Sequence, residues 1–120
     1  MSKKILIVDD QVNFTHIIKM IIESQGFEGL TASNGQEAID KMKDALPDLI
    51  LLDLMMPEMT GFEVLEEIKD KSKFQKIPVI VISALAEKKY VDRAYNLGAV
   101  DYIVKDFDPD ELLSSIKENL

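Results

Sequence analysis

Two segments, Leu49-Ile-Leu-Leu52 and Val79-Ile-Val-Ile82, constrain the fold most, because both are apolar at every position. A strand with one wet face alternates apolar and polar residues. An unbroken apolar run fits a strand covered on both faces, as in a parallel sheet between helices. Similar short runs occur at Ile5-Leu-Ile-Val8, Phe27–Ala32 and Tyr102–Val104, so five strands are expected. Helical periodicity fills the intervals. Phe14, Ile17, Ile18, Ile21 and Ile22 form one apolar stripe, with Gly26 as the stop that follows a helix C-terminus. From Gly35 to Ala45 the pattern turns Ala38, Ile39, Met42 and Leu46 inward and ends before Pro47. From Gly61 to Lys71 it turns Phe62, Leu65 and Ile68 inward, and from Glu87 to Leu97 it runs up to Gly98. The last helix opens with Asp108 as N-cap, Pro109 at N1 and Glu111 at N3, a capping-box variant, and carries Leu112, Leu113, Ile116 and Leu120.

Five β–α units in 120 residues, without a linker or repeat, predict one α/β domain over residues 1–120. Right-handed crossovers with helices on both faces make it a doubly wound parallel sheet. The chain stops with the fifth helix, so no output domain is expected. Acidic residues number 22 against 14 basic, a net charge of −8 that disfavours direct binding to nucleic acid. The absence of cysteine excludes disulfides, a thiol nucleophile and thiolate metal sites. One histidine, His16, excludes a multi-histidine centre and reads as a surface residue of the first helix. The six methionines read as core and loop filler, and the four lysines between Lys69 and Lys76 as a solvated loop. No apolar run approaches the ~18 residues of a membrane span. Met1-Ser2-Lys3-Lys4 leads straight into the first strand without the apolar stretch of a signal peptide. A cytoplasmic location with no membrane partner is expected.

Ligands of open parallel sheets bind beyond the carboxyl ends of the strands. The residues at those ends are Asp9 and Asp10, then Ser33, Asn34 and Gly35, then Asp53, Ser83 and Lys105. No glycine-rich dinucleotide turn or phosphate loop is present, which argues against a nucleotide held by backbone amides. Three carboxylates crowded together raise one another's pKa unless a cation relieves them, and oxygen-only ligation suits Mg²⁺. Asp53 closes a buried run, where an unpartnered carboxylate is costly, and a carboxylate can act as a nucleophile toward phosphorus. Lys105 and Ser83 would then neutralise and hydrogen-bond the transferred group. Singly, each residue has an ordinary reading: an Asp9 or Asp10 helix cap, a strand-end hydroxyl, a surface lysine. Their joint occurrence at four strand ends does not.

At these residues the chain resembles the receiver domains of two-component response regulators along its whole length. The matching stretches are Ile5–Asp10, Pro47–Pro57 with Thr60-Gly61, Ile77–Ala84 and Leu97–Phe107. The resemblance implies a flavodoxin-like sheet of order 2-1-3-4-5 with five helices. It implies Asp53 as phospho-acceptor and Mg²⁺, or Mn²⁺ in its place, held by Asp10, Asp53 and the backbone carbonyl of Met55, with Asp9 acting directly or through water. Ser83 matches the hydroxyl residue that turns toward the phosphoryl group, Lys105 the lysine that contacts it, and Tyr102 the aromatic switch residue. The implied partners are a sensor histidine kinase or phosphotransfer protein, and a downstream target or second copy at the face of the fourth helix, fifth strand and fifth helix. Tyr90, Val91 and Tyr95 lie near that face, where ordinary amphipathic surface is an equal reading for the two tyrosines. The implied role is a signalling switch rather than an enzyme in the ordinary sense.

One departure from the family is Lys105-Asp106 where Lys-Pro is usual, the bond before that proline being usually cis. A cis bond costs about 2.5–4 kcal/mol before residues other than proline, so a trans path is expected, with the aim of Lys105 less firmly set and altered phosphorylation kinetics. Met55 and Leu85 flank the chemistry and cannot orient water, which predicts slow autodephosphorylation. Two alternatives stay open on the residues alone. A Mg²⁺-dependent phosphohydrolase with an aspartyl-phosphate intermediate commonly carries a second aspartate where Met55 stands. A pseudo-receiver would bind a protein partner without being phosphorylated.

Overall fold

The computed structural model describes residues 2–120, which leaves Met1, one of the methionines read as filler, outside the described residues. Strands β1 (Lys4–Val8), β2 (Glu28–Ala32), β3 (Leu49–Leu52), β4 (Val79–Ser83) and β5 (Asp101–Val104) form one sheet of order β2-β1-β3-β4-β5. All four pairings are parallel. Helices α1 (Val12–Ser24), α2 (Gly35–Asp44), α3 (Gly61–Asp70), α4 (Lys88–Asn96) and α5 (Pro109–Glu118) supply the crossovers. This is the doubly wound fold that the resemblance implied.

The unbroken apolar runs are explained by what covers them. Alternate residues of the strands point to opposite faces. Ile5, Ile7, Leu49, Leu51, Ile80 and Ile82 pack against Ile18 and Ile22 of α1 and Leu112 and Ile116 of α5. Leu6, Val8, Ile50, Leu52, Val79 and Val81 pack against α2, α3 and α4 through Ile39, Met42, Leu65, Ile68 and Ala94. Each such side chain contributes about 1.5–3 kcal/mol on burial, so β1, β3 and β4 form the thermodynamic centre of the domain. Gly26 and Gly98 follow the ends of α1 and α4 with φ of +89° and +108°, where a Cβ would be strained.

Several local expectations are corrected. Ile17 and Leu46 were placed on the core side of their helices but are 55% and 47% exposed. The buried stripe of α1 is narrower than the apolar pattern, comprising Thr15, Ile18 and Ile22, so Thr15 is a core residue rather than an exposed one. Leu120 follows the last helix and is exposed. Asp108 caps α5 through a bond from Asp110 N, not through a box with Glu111. The reciprocal capping box lies at α3 instead, between Thr60 and Glu63. The lysine-rich segment is solvated as expected, with Ser72, Lys73, Gln75 and Lys76 exposed, and is anchored by the buried Phe74 and by Lys69 Nζ, which donates to the carbonyls of Gln75 and Ile77.

Gly61 is required by close approach. Its N–H donates to Leu54 O at 3.0 Å, and a Cβ there would lie 2.1 Å from the Asp53 carbonyl oxygen and 2.6 Å from Leu54 Cα. Both obstacles are backbone and cannot rotate away. Gly61→Ala is therefore expected to cost about 1–3 kcal/mol, read as a lowered urea midpoint at unchanged m-value. A midpoint equal to wild type would show that the β3–α3 segment yields more easily than its packing implies.

Candidate functional site

The site is assembled by the sheet's register. Val8 pairs with Leu52 and Ser83 with Val104, so the residues that follow continue the ladder. Asp53 N donates to Val8 O at 2.9 Å, Asp9 N to Ala32 O at 3.0 Å, and Lys105 N to Ser83 O at 2.9 Å. The backbone thereby fixes where the two aspartates and the lysine start. They sit at the carboxyl edge beside β1 and β3, where the strand order reverses.

Asp9 and Asp53 are each 3% exposed and Asp10 is exposed; one carboxylate oxygen from each of the three lies within 4.8 Å of the others. The Lys105 ammonium lies 3.0 Å from Asp9 Oδ2 and 3.5 Å from Asp53 Oδ2, on a side chain only 16% exposed. Asp9 Oδ1 accepts from Gln11 N at 2.9 Å, whereas Oδ2 is ion-paired yet lacks a hydrogen bond of good geometry. Asp53 Oδ1 accepts from Met55 N at 3.3 Å. Burial, and then the charge of Asp9, push the Asp53 carboxyl up to about 6, against the pull of Lys105 and the Met55 N–H. One ammonium does not balance three acids. An all-oxygen donor set with a buried, incompletely satisfied carboxylate oxygen fits a hard divalent cation.

The remaining candidates sit around this cluster. Ser83 closes β4, lies inside the strand rather than after it, and is fully buried, with Oγ accepting from Leu85 N at 3.1 Å. Tyr102 donates its hydroxyl to Leu85 O at 2.5 Å. Ser83 and Tyr102 thus grip the two peptide groups of the same residue, a link that spacing alone did not reveal. Burial raises the Tyr102 phenol. The Met55 side chain is 60% exposed at the mouth and Leu85 is half-buried. Neither Asp9 nor Asp10 supplies the N-cap of α1, which is Gln11. The Lys105-Asp106 bond is trans, as are all bonds among the described residues, and Lys105 is nonetheless aimed at the carboxylates. The expectation of a loosely set lysine is corrected by what surrounds it. Gln11 Oε1 accepts from its Nζ at 2.6 Å, and the Phe14 ring centroid lies 4.6 Å away. Neither residue was a candidate from sequence, since Phe14 fitted a core period and Gln11 belongs to no motif. Position beside the acid pair was the one signal available for Gln11.

Residues 5–117 match the family model described as the response regulator receiver domain, and the chain belongs to this family. Members are signalling switches of two-component systems. The chain is 34% identical over 117 residues to the phosphate regulon transcriptional regulatory protein PhoB of Escherichia coli, covering 98% of this chain and 51% of that protein. It spans about half the length of the curated relatives it matches first. Among solved structures, the chemotaxis protein CheY4 of Vibrio cholerae superposes with a TM-score of 0.94 at 29% identity, over 100% of both chains. The response regulator TrrA of Thermotoga maritima, solved in complex with Mg²⁺ and BeF, matches at 36% identity and a TM-score of 0.88, over 98% of this chain and 99% of that one. No described helix is long and apolar enough to cross a membrane.

The raised Asp53 carboxyl has a measurable sign. Its folded pKa of about 6 exceeds the ordinary 3.8, so the metal-free fold binds this proton more tightly than the unfolded chain. Its contribution to stability rises as pH falls from about 6 toward 4, and at neutral pH the ionised form is a net cost. Asp53→Asn should stabilise the metal-free protein by about 1–3 kcal/mol above pH ~6, with the gain vanishing below pH ~4. Urea unfolding in a chelator across this range checks it. A gain that is constant with pH would locate the effect elsewhere.

Proposed function

We propose that this chain is a phosphoryl-accepting switch whose acceptor is Asp53. The observation that carries the reading is a buried carboxylate flanked by two further acids and one ammonium at a single sheet edge. An oxygen of Asp53 attacks phosphorus of a phosphohistidine on a sensor kinase or phosphotransfer protein, or of a small phosphodonor. The bond from phosphorus to the leaving nitrogen or oxygen breaks, and the leaving group takes the electron pair and a proton from solvent. Asp53 becomes an acyl phosphate.

Asp10, Asp53, the Met55 carbonyl and Asp9 would hold Mg²⁺ or Mn²⁺, which when bound neutralises charge on the phosphoryl oxygens. Lys105 offers N–H donors beside Asp53, its Nζ lying 3.5 Å from Oδ2. The Ser83 hydroxyl accepts from Leu85 N and keeps its own proton free to donate toward a phosphoryl oxygen. Turning Ser83 away from Leu85 releases one of the two grips on that residue, and Tyr102 holds the other. The change is thereby passed to α4 and β5. The face formed by α4, β5 and α5 is the proposed output surface, for a target protein or a second copy. Tyr90 is half-buried and stacked on Phe62 with centroids 6.5 Å apart, whereas Tyr95 is 44% exposed and bonded to Asp101. Tyr95 is the better candidate for contact.

Incubation with a small phosphodonor and Mg²⁺ should add one phosphoryl group to the intact mass. The adduct should be lost in Asp53→Asn and in a chelator. Sustained turnover of assorted phosphate esters without an adduct would favour a phosphohydrolase, and no adduct under any condition a pseudo-receiver. Persistence of the adduct is a second expectation. Met55 and Leu85 offer no side-chain hydrogen bond to an attacking water, so the phosphorylated state should be long-lived. Met55→Asn combined with Leu85→Glu should shorten its half-life by up to about a hundredfold, the low end of general-base assistance. An unchanged half-life would mean that water access is set by other residues.

A further inference from the structure

Lysine is a mobile side chain, with about 2 kcal/mol of rotamer entropy on a four-carbon stem. Lys105 is nevertheless confined. Its ammonium has three oxygen neighbours, Gln11 Oε1 at 2.6 Å, Asp9 Oδ2 at 3.0 Å and Asp53 Oδ2 at 3.5 Å. Only the Gln11 contact has hydrogen-bond geometry. The Phe14 ring closes another side at 4.6 Å, and Phe107 meets that ring edge-on with centroids 6.2 Å apart and planes at 85°.

Gln11 is itself anchored. Its N–H donates to Asp9 Oδ1 at 2.9 Å, and its carbonyl accepts from Thr15 N and Thr15 Oγ1, both at 3.0 Å. The carboxamide is thus mounted on backbone bound to the acid cluster, 94 residues away in sequence from the lysine it holds. Being neutral, it accepts from the ammonium without adding a fourth negative charge. An acidic side chain at the same reach would instead compete with Asp53 for the ammonium.

We infer that Gln11 is a positioning residue for Lys105, its carboxamide holding the ammonium against the Phe14 ring at the entrance between Asp9 and Asp53. The inference rests on the reading of Asp53 as phospho-acceptor only for its kinetic consequence. Gln11 does not touch the phosphorus; it acts through the lysine, keeping a donor in place before the phosphoryl group arrives. Restraint of this kind lowers the cost of ordering the donor during transfer.

The test is Gln11→Met, which keeps length and volume but removes the acceptor. With acetyl phosphate as donor, phosphorylation should slow about fivefold, equivalent to about 1 kcal/mol, the size of one hydrogen bond. Mg²⁺ affinity and the urea midpoint should stay near wild type, because the Gln11 backbone contacts persist. In a Lys105→Ala background the same substitution should have no further effect. Carbon relaxation at the Lys105 ε-methylene of the metal-free protein should report greater mobility in Gln11→Met, which a merely structural role would not produce. Unchanged rate with unchanged ε-methylene order would overturn the inference, as would an equal loss in the Lys105→Ala background. A wild-type chain that takes up no phosphoryl group would refute the acceptor reading, and the relaxation measurement would still decide whether Gln11 holds the lysine.

Discussion

The structure depends on the forced proximity of two buried carboxylates. Because β1 and β3 pair in register through Val8 and Leu52, Asp9 and Asp53 leave adjacent strands at the same height. Neither can retreat without breaking a ladder bond at 3.0 or 2.9 Å. Their repulsion and burial hold the Asp53 carboxyl at about 6, so this corner of the fold stores unfavourable charge near neutral pH. Fully covered β1, β3 and β4 tolerate it, since hydrophobic burial on both faces of the sheet far exceeds the local cost. A site that is electrostatically unsatisfied in a stable scaffold is suited to holding a cation.

What could be read from sequence follows from the same physics. Leu49–Leu52 and Val79–Ile82 announced two-faced burial, since no solvated strand carries such a run, and the layered α/β fold followed. The candidate site was legible because chemistry in this fold gathers at strand ends, and Asp9, Asp10, Asp53, Ser83 and Lys105 occupy them. Strand order was not readable from pattern and came through the family resemblance. Ile17 misled because apolar periodicity marks a stripe wider than the face that packs, as the burial of Thr15 shows, and Leu46 because α2 ends at Asp44 before reaching it. Gln11 and Phe14 were invisible as site residues for a different reason. A glutamine beside an acid pair has no signature, and a phenylalanine at core spacing looks like core until the lysine that follows β5 is seen over its ring.

Lys105 shows how a local sequence departure can be absorbed elsewhere. Asp106 follows it through a trans bond, and the lysine's own N–H is held by Ser83 O at 2.9 Å, which sets where the side chain starts but not where it ends. Restraint comes instead from α1, through Gln11 and Phe14, and from Phe107 packed on Phe14. Phe107 follows Asp106 by one residue, so its contact with Phe14 pins the loop directly after the lysine. Three weak contacts of different kinds replace one backbone constraint, and they draw on two elements at opposite ends of the chain.

Coupling between the site and the output face reduces, on the proposed reading, to the peptide groups of Leu85. Its N–H is held by Ser83, which faces the site, and its carbonyl by Tyr102 on β5, which faces α4. Both bonds span one residue, so neither partner can change its donor or acceptor without altering the constraint on the other. Two hydrogen bonds to one residue form a junction with few arrangements, which suits a two-state element better than a graded one. Bonds to a buried serine are also costly to break without replacement. On the proposed reading, a phosphoryl group on Asp53 offers the Ser83 hydroxyl an acceptor for its own proton, and turning toward it deprives Leu85 N of its partner.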